Sequence, residues 1–160
     1  MRPQAKTRLR VLIVDDDPWI RESLTFLLSD AGYETLTASD GVEALDTLLV
    51  SQEQLVVVLD LQMPQLTGFE VLTRVASDDH LATQHGYIIC SAKAPTAEHI
   101  GPHFAALLQR LNIPFVARPF DNDVLVQAVE EIASRLPLED TQDACGTGSV
   151  TGREHTQHSA

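Results

Sequence analysis

Apolar residues follow two alternating patterns along most of the chain. Short unbroken apolar runs, such as the five residues that end at Leu59, have the length and the valine content of buried β-strands. Between these runs, apolar residues recur every three or four positions, which is typical of one face of an amphipathic helix. The pattern predicts five strands, at 9–14, 33–38, 55–59, 87–90 and 113–117.

Five strands that alternate with five helices predict parallel pairing through right-handed crossover connections. The predicted fold class is therefore α/β. No glycine-rich GxGxxG turn follows the first strand, so a dinucleotide-binding fold is not expected. At this chain length, we expect a flavodoxin-like (βα)5 doubly wound parallel sheet with strand order 2-1-3-4-5.

Residues that favour helix ends support the predicted boundaries. Pro18 suits the first turn of the first helix, and Gly32 follows its last turn. Ser39 or Asp40 can cap the second helix, and Asp121 can cap the last one. These positions agree with the helices that the apolar periodicity predicts.

The charge balance restricts the classes of partner. The formal net charge is −12, from 11 Lys and Arg against 23 Asp and Glu. Such a balance argues against binding to nucleic acid or to an anionic membrane surface. The apolar runs are too short to span a bilayer, and residues 1–10 do not resemble a signal peptide. Because the only two cysteines show no disulfide or metal spacing, we expect a reduced, cytoplasmic protein.

Composition also divides the chain into three parts. Residues 1–7 form a short basic lead-in, and residues 8–136 carry all the predicted strands and helices in one domain. From 137 onward, Gly, Thr, Ser and Gln dominate and the apolar periodicity ends. We therefore expect 137–160 to be a disordered polar tail.

The predicted sheet brings polar residues together at the carboxyl ends of its strands. Strand 1 ends at the three aspartates 15–17, strand 3 at Asp60, strand 4 at Ser91 and strand 5 at Arg118. Ligands of such sheets bind at this edge, where strands 1 and 3 meet. Carboxylates that lie so close together need a cation, and their hard oxygens suit Mg²⁺. Ser91 and Arg118 add a hydroxyl and a positive charge, so the edge suits phosphoryl transfer to an aspartate nucleophile.

Several segments resemble the receiver domain of two-component response regulators. They are residues 14–18 (VDDDP), 59–64 (LDLQMP) with 67–68 (TG), 91–92 (SA) and 118–120 (RPF). The segments lie at the ends of predicted strands, in the order that the family shows, and the resemblance covers about residues 8–136. The chain is therefore identified as a member of this family, and we expect it to be a stand-alone receiver.

The resemblance implies roles for the residues of the acidic edge. Asp60 matches the aspartate that accepts a phosphoryl group from the phosphohistidine of a histidine kinase. Asp15 and Asp16 match the acidic pair that binds Mg²⁺, Asp16 more directly and Asp15 largely through water. Asp60 and the backbone carbonyl of Gln62 match the other protein ligands of the metal.

The resemblance also assigns the residues of strands 4 and 5. Ser91 matches the hydroxyl that contacts a phosphoryl oxygen and takes part in switching, and Phe115 occupies the aromatic switch position. The peptide bond between Arg118 and Pro119 is expected to be cis. Two departures stand out: Arg118 replaces the lysine of the family, and the stretch between Ser91 and Arg118 is several residues longer than expected. We expect the extra length within 94–103, where prolines and a glycine interrupt the helical pattern.

Two alternatives to a phosphorylated receiver remain open. The aspartates 15–17 contain the DxD spacing of haloacid dehalogenase-type, magnesium-dependent phosphatases, which also use an aspartyl nucleophile. However, Trp19 stands where that family has Thr or Val, the chain leaves no room for a cap domain, and Asp60 would have no role. The second alternative is a receiver-like binding module that works without phosphorylation, which only Arg118 favours.

We expect a signalling domain and not an enzyme. Its phosphoryl donor would be a histidine kinase or a histidine phosphotransfer protein, and its target would be an unknown downstream protein. Neither nucleic acid nor a membrane is an expected partner. Asp17 is interpreted as a helix cap, and all six histidines are interpreted as solvent-exposed surface residues. These histidines are His80, His85, His99, His103, His155 and His158.

Overall fold

The computed structural model describes residues 9–93 and 97–137, with only the backbone described at 97–100. The predicted basic lead-in at 1–7 lies outside the described residues, as does nearly all of the predicted tail at 137–160. Part of the 94–103 segment also lies outside them.

Five parallel strands form one sheet with the order β2-β1-β3-β4-β5, which confirms the predicted topology. The strands are β1 (Arg10–Val14), β2 (Glu34–Ala38), β3 (Leu55–Leu59), β4 (Gly86–Ser91) and β5 (Phe115–Ala117). Val14 lies opposite Leu59 across β1 and β3, and Ser91 lies opposite Ala117 across β4 and β5. The carboxyl ends of these four strands therefore meet at one edge of the sheet.

Helices connect the strands and cover the sheet. They are α1 (Pro18–Asp30), α2 (Gly41–Val50), α3 (Gly68–Ala76), α4 (Asp79–Gln84), α5 (Ala97–Arg110) and α6 (Asn122–Arg135). Asp40 caps α2 as predicted, because its side chain accepts a hydrogen bond from the Glu43 N–H. Asp121 holds the N-cap position of α6, but its side chain makes no capping hydrogen bond. Within the described ranges, no helix is long and apolar enough to cross a membrane.

The prediction of five helices is wrong, because the described residues include a sixth helix, α4, between α3 and β4. Asp78 caps it by accepting hydrogen bonds from the N–H groups of His80 and Leu81. Leu81 is buried against the core. Six residues are too few to show the apolar periodicity on which the sequence prediction depended.

The region between β4 and β5 differs from the prediction in two ways. Residues 97–100 are helical, which the pattern did not predict, whereas the break at Gly101, where φ is 66° and ψ is 165°, falls at the glycine that was expected to interrupt the helix. β5 begins at Phe115 and not at 113, because Ile113 N–H donates to the Leu108 carbonyl and closes the end of α5.

The core lies in two layers on the two faces of the sheet. Alternate residues of β3 point to opposite faces, so Val57 packs with α2, α3 and α5 whereas Val58 packs with α1 and α6. All five residues of β3 are buried. The central strands are therefore covered on both faces, which holds their carboxyl ends in fixed positions.

Candidate functional site

The ends of β1 and β3 hold two aspartates side by side. Asp60 N–H donates to the Val14 carbonyl at 3.0 Å, and Asp15 N–H donates to the Ala38 carbonyl at 3.2 Å. Both residues are almost fully buried, with exposed fractions of 3% for Asp15 and 5% for Asp60. The sheet itself therefore positions both carboxylates.

Asp15, Asp16 and Asp60 together form an acidic cluster. One carboxylate oxygen of each residue lies within 4.8 Å of the others. Asp16 is exposed whereas its two neighbours are buried, so the cluster opens to solvent on the Asp16 side. Three hard oxygen ligands with an open side suit Mg²⁺, which keeps several of its waters. The residues of the cluster therefore fit this metal.

Arg118 brings positive charge to the acidic cluster. Its backbone N–H donates to the Ser91 carbonyl at 3.0 Å, which extends the pairing of β4 and β5 by one residue. Its Nη1 lies 3.1 Å from Asp15 Oδ2, and its Nη2 lies 3.2 Å from Asp60 Oδ1. The guanidinium thus bridges carboxylates from two different strands. The peptide bond between Arg118 and Pro119 is cis, as the resemblance implied.

Backbone N–H groups orient both buried carboxylates. Asp15 Oδ1 accepts a hydrogen bond from Asp17 N–H at 2.9 Å, and Asp60 Oδ1 accepts one from Gln62 N–H at 3.3 Å. Each donor lies two residues after its carboxylate, which is a turn that aspartate side chains favour. In the described part of the chain, Oδ2 of Asp60 accepts no hydrogen bond, so this oxygen is available to a ligand or a reacting atom.

Arg21 and Gly68 support the backbone of the two buried aspartates. Arg21 Nη1 donates to the backbone carbonyl of Asp15 at 2.7 Å. Gly68 begins α3 so close to β3 that a Cβ at this position would overlap the carbonyl oxygen of Asp60. Close packing therefore requires the glycine of the 67–68 segment.

Burial dominates the electrostatics of Asp15. It raises the pKa of Asp15 above its ordinary value of 3.8, and the negative charges of Asp60 and Asp16 raise this pKa further. The Asp17 N–H and the Arg118 guanidinium act in the opposite direction but do not cancel the rise. An added cation would favour the ionised form of Asp15, which agrees with a divalent metal at this site.

The remaining predicted site residues lie at or near the same edge of the sheet. Ser91 is the last residue of β4 and is buried. Gln62 is exposed, and its N–H is the group that contacts Asp60. Phe115 begins β5 and packs, half-buried, against the core layer that contains Phe104. The predicted roles of Ser91 and Phe115 in switching, and of the Gln62 carbonyl in metal binding, stay predictions.

Asp17 acts as the cap of α1, as interpreted from the sequence. Its Oδ1 accepts a hydrogen bond from Trp19 N–H at 2.9 Å. Trp19 itself projects into solvent, with 77% of its surface exposed. The cap therefore fixes the start of α1 directly beside the acidic cluster.

The interpretation of all six histidines as surface residues is wrong for His85, which is only 3% exposed. Its Nδ1 accepts a hydrogen bond from Leu55 N–H at 3.1 Å, at the start of β3. Burial lowers the pKa of His85 to about 4, although the nearby Leu48 carbonyl slightly favours the protonated form. Nε2 of His85 is buried and has no hydrogen-bond partner among the described residues. A single histidine between a glutamine and a glycine gave no sequence signal for this role.

Comparison with known families agrees with the fold and the site. Residues 11–130 match the family model of the response regulator receiver domain. The chain therefore belongs to the response regulator receiver family, whose members are signalling domains of two-component systems.

Among curated relatives, response regulator MprA of Mycobacterium ulcerans is 34% identical over 137 residues, which cover 85% of this chain and 55% of MprA. Response regulator MprA of Mycobacterium avium is 33% identical over 137 residues, which cover 85% of this chain and 56% of that protein. The chain thus spans about half the length of the curated relatives that it matches.

Solved structures show the same fold. A CheY-like receiver domain protein from Methanospirillum hungatei is 29% identical with a TM-score of 0.62, over 81% of this chain and 94% of that one. The response regulator TrrA of Thermotoga maritima, solved in complex with Mg²⁺ and BeF, is 29% identical with a TM-score of 0.59. That match covers 77% of this chain and 97% of TrrA.

The match to the receiver family leaves the alternative of a haloacid dehalogenase-type phosphatase without support.

Proposed function

We propose that the chain is the phosphoacceptor receiver of a two-component phosphorelay and carries the phosphoryl group on Asp60. The observation that supports this function best is the position of Asp60 Oδ2. This oxygen lies in an acidic cluster that fits Mg²⁺, beside the guanidinium of Arg118, and accepts no hydrogen bond from the described residues.

In this function, Oδ2 of Asp60 attacks the phosphorus of a phosphohistidine. An oxygen–phosphorus bond forms while the nitrogen–phosphorus bond breaks, and the imidazole nitrogen keeps the electron pair of that bond. Arg118 neutralises charge on the phosphoryl oxygens, and the Ser91 hydroxyl donates a hydrogen bond to one of them.

Asp15, Asp16, Asp60 and the Gln62 carbonyl would hold Mg²⁺ at this site. When bound, this metal supplies the positive charge that a transferring phosphoryl group requires. The raised pKa of Asp15 supports this assignment, because the acidic cluster around this buried carboxylate has less positive than negative charge.

The phosphoryl donor would be a histidine kinase or a histidine phosphotransfer protein. Two exposed aromatic residues on α1 support contact with a protein at this end of the molecule. Trp19 and Phe26 are 77% and 75% exposed, and their spacing of seven residues places them on one face of α1. Apolar groups exposed next to a reactive site favour a protein partner.

The output of the receiver would be contact with a downstream protein. The domain would comprise residues 8–136, with the net acidic charge disfavouring nucleic acid as a direct partner. The curated relatives extend well beyond the segment that this chain matches, so their whole-protein activities do not transfer to it.

Phosphorylation by acetyl phosphate in the presence of Mg²⁺ tests the proposed function. We expect one phosphoryl group per chain, stable in acid and labile in base, as an acyl phosphate should be. Asp60→Asn should abolish this labelling and keep the fold. Asp17→Asn is the matched control, because Asp17 caps α1 and is not part of the acidic cluster.

Equal labelling of the Asp60→Asn variant would contradict the assignment of Asp60. A wild-type protein that binds Mg²⁺ but takes up no phosphoryl group, from acetyl phosphate or from a phosphorylated histidine donor, would instead favour the phosphorylation-independent binding module.

A further inference from the structure

Arg118 differs from an ordinary surface arginine in what holds its side chain. The side chain is 17% exposed, and its two Nη atoms contact Asp15 and Asp60, whose side chains are 4% and 6% exposed. Its Nε is buried and has no hydrogen-bond partner in the ranges that the structure describes. Two of the three carboxylates of the acidic cluster therefore hold the guanidinium in place.

These contacts engage oxygens that a metal would also use. Asp15 accepts Asp17 N–H at Oδ1 and Arg118 Nη1 at Oδ2, so both of its oxygens already have a donor. Asp60 Oδ1 forms an ion pair with Arg118 Nη2 at 3.2 Å. A Mg²⁺ ion binds carboxylate oxygens at about 2.1 Å. At Oδ2 of Asp15 it would lie within a few ångströms of a like charge, where mutual repulsion is strong.

The shape of the arginine side chain explains why it contacts both carboxylates at once. A guanidinium is a planar fork whose two terminal nitrogens can each bind a different oxygen, whereas an ammonium is a compact point charge on a flexible stem. Here the fork spans from the end of β1 to the end of β3.

We infer that Arg118 is a built-in counter-ion of the acidic cluster, which competes with Mg²⁺ for Asp15 and Asp60 and so lowers the affinity of the site for Mg²⁺. The inference takes from the proposed function only the acidic cluster as the metal site. It concerns equilibrium binding of the metal and does not depend on phosphorylation of Asp60.

Titration of the full chain with MgCl2, without any phosphoryl donor, tests the competition. Binding is followed by calorimetry and by the fluorescence of Trp19, which is the only tryptophan. Arg118→Gln should raise the Mg²⁺ affinity by about tenfold, the size of one hydrogen bond between charged groups.

Arg10→Gln is the matched control. It also removes a guanidinium from β1, but Arg10 lies at the start of that strand, away from the acidic cluster, and pairs with Glu34 and Glu53. We expect this variant to bind Mg²⁺ nearly as the wild type does. Two results would overturn the inference: an unchanged or lower affinity in Arg118→Gln, or an equal rise in both variants, which would show only a long-range charge effect.

A measurement on the wild-type protein covers the case in which Arg118→Gln does not fold. The Nε–H signal of Arg118 in a nitrogen–proton NMR spectrum, identified by its loss in Arg118→Lys, should shift over the same range of Mg²⁺ concentration that changes the calorimetric signal. A signal that stays in place while Mg²⁺ binds would overturn the inference. So would the absence of Mg²⁺ binding in wild type and variant alike, whereas missing phosphorylation alone would overturn only the proposed function.

Discussion

At the residue scale, the burial of His85 opposes the protonation of its imidazole ring. Its ordinary pKa is 6.5, and burial lowers this value to about 4 in the folded protein. As the pH falls, His85 therefore takes up a proton in the unfolded chain before it does so in the folded protein. The contribution of neutral His85 to the free energy of unfolding is present in full above pH 6.5 and is lost progressively down to about pH 4. A shift of this size corresponds to roughly 3 kcal/mol in the free energy of unfolding.

We expect His85→Asn to flatten this pH dependence. An asparagine oxygen can still accept the Leu55 N–H that Nδ1 accepts now, and the amide does not titrate. Urea unfolding at several values between pH 6.5 and about 4 measures the effect. His103→Asn, at an exposed position of α5 that does not act on His85, should leave the wild-type slope unchanged. An equal loss of stability in wild type and His85→Asn would contradict the role of His85.

The residue scale also shows where sequence interpretation succeeds. Asp15, Asp16, Asp60 and Arg118 could be placed together because each follows a predicted strand, and parallel strands bring their carboxyl ends to one edge. The bridge that Arg118 forms between two carboxylates could not be predicted, since it depends on side-chain torsions that no sequence pattern encodes.

At the scale of elements, α5 is interrupted by one residue with an unusual backbone conformation. Gly101 has φ 66° and ψ 165°, a region that residues with a Cβ rarely occupy. A Cβ at this position would meet no atom within 4 Å, so backbone conformation alone disfavours a larger residue. We expect Gly101→Ala to lower the free energy of unfolding by about 1–3 kcal/mol, as measured by urea denaturation.

Pro102→Ala is the control for the break in α5. Pro102 is exposed and follows the break directly, where proline is tolerated as the first residue of a helical segment. We expect this variant to stay within about 0.5 kcal/mol of the wild type, as exposed substitutions usually do. A loss as large as that of Gly101→Ala would show that the proline, and not the glycine, sets the conformation of α5.

Elements differ in how well local sequence determined them. Strand β3 was predicted within its observed bounds because five consecutive apolar residues leave no alternative face. The short helix α4 was missed because its main determinant is one side chain, Asp78, that binds two backbone N–H groups. Apolar periodicity becomes visible only over several helical turns, whereas a capping side chain stabilises the first turn of a helix by itself.

At the scale of the whole molecule, we expect the segment 138–160 to contribute little to stability. Its sequence holds few large apolar side chains, so it has little apolar surface to offset the entropy of ordering. Removing 138–160 should change the free energy of unfolding by no more than about 0.5 kcal/mol. A much larger loss in thermal or urea unfolding would show that this segment packs on the domain.

The overall topology was predictable because alternation of strands and helices, together with the handedness of crossover connections, leaves few arrangements of five strands. The buried position of His85 was not predictable, because it depends on how α4 and the start of β3 come together. Tertiary packing of this kind exceeds what any single segment of the sequence contains.

The most direct test of the central claim is the chemical location of the phosphoryl group. After reaction with acetyl phosphate and Mg²⁺, borohydride reduction converts an aspartyl phosphate into homoserine, which peptide mass spectrometry can assign to one position. We predict homoserine at position 60 and unmodified aspartates at 15, 16 and 17. Homoserine at any of these three positions, with Asp60 unmodified, would contradict the account.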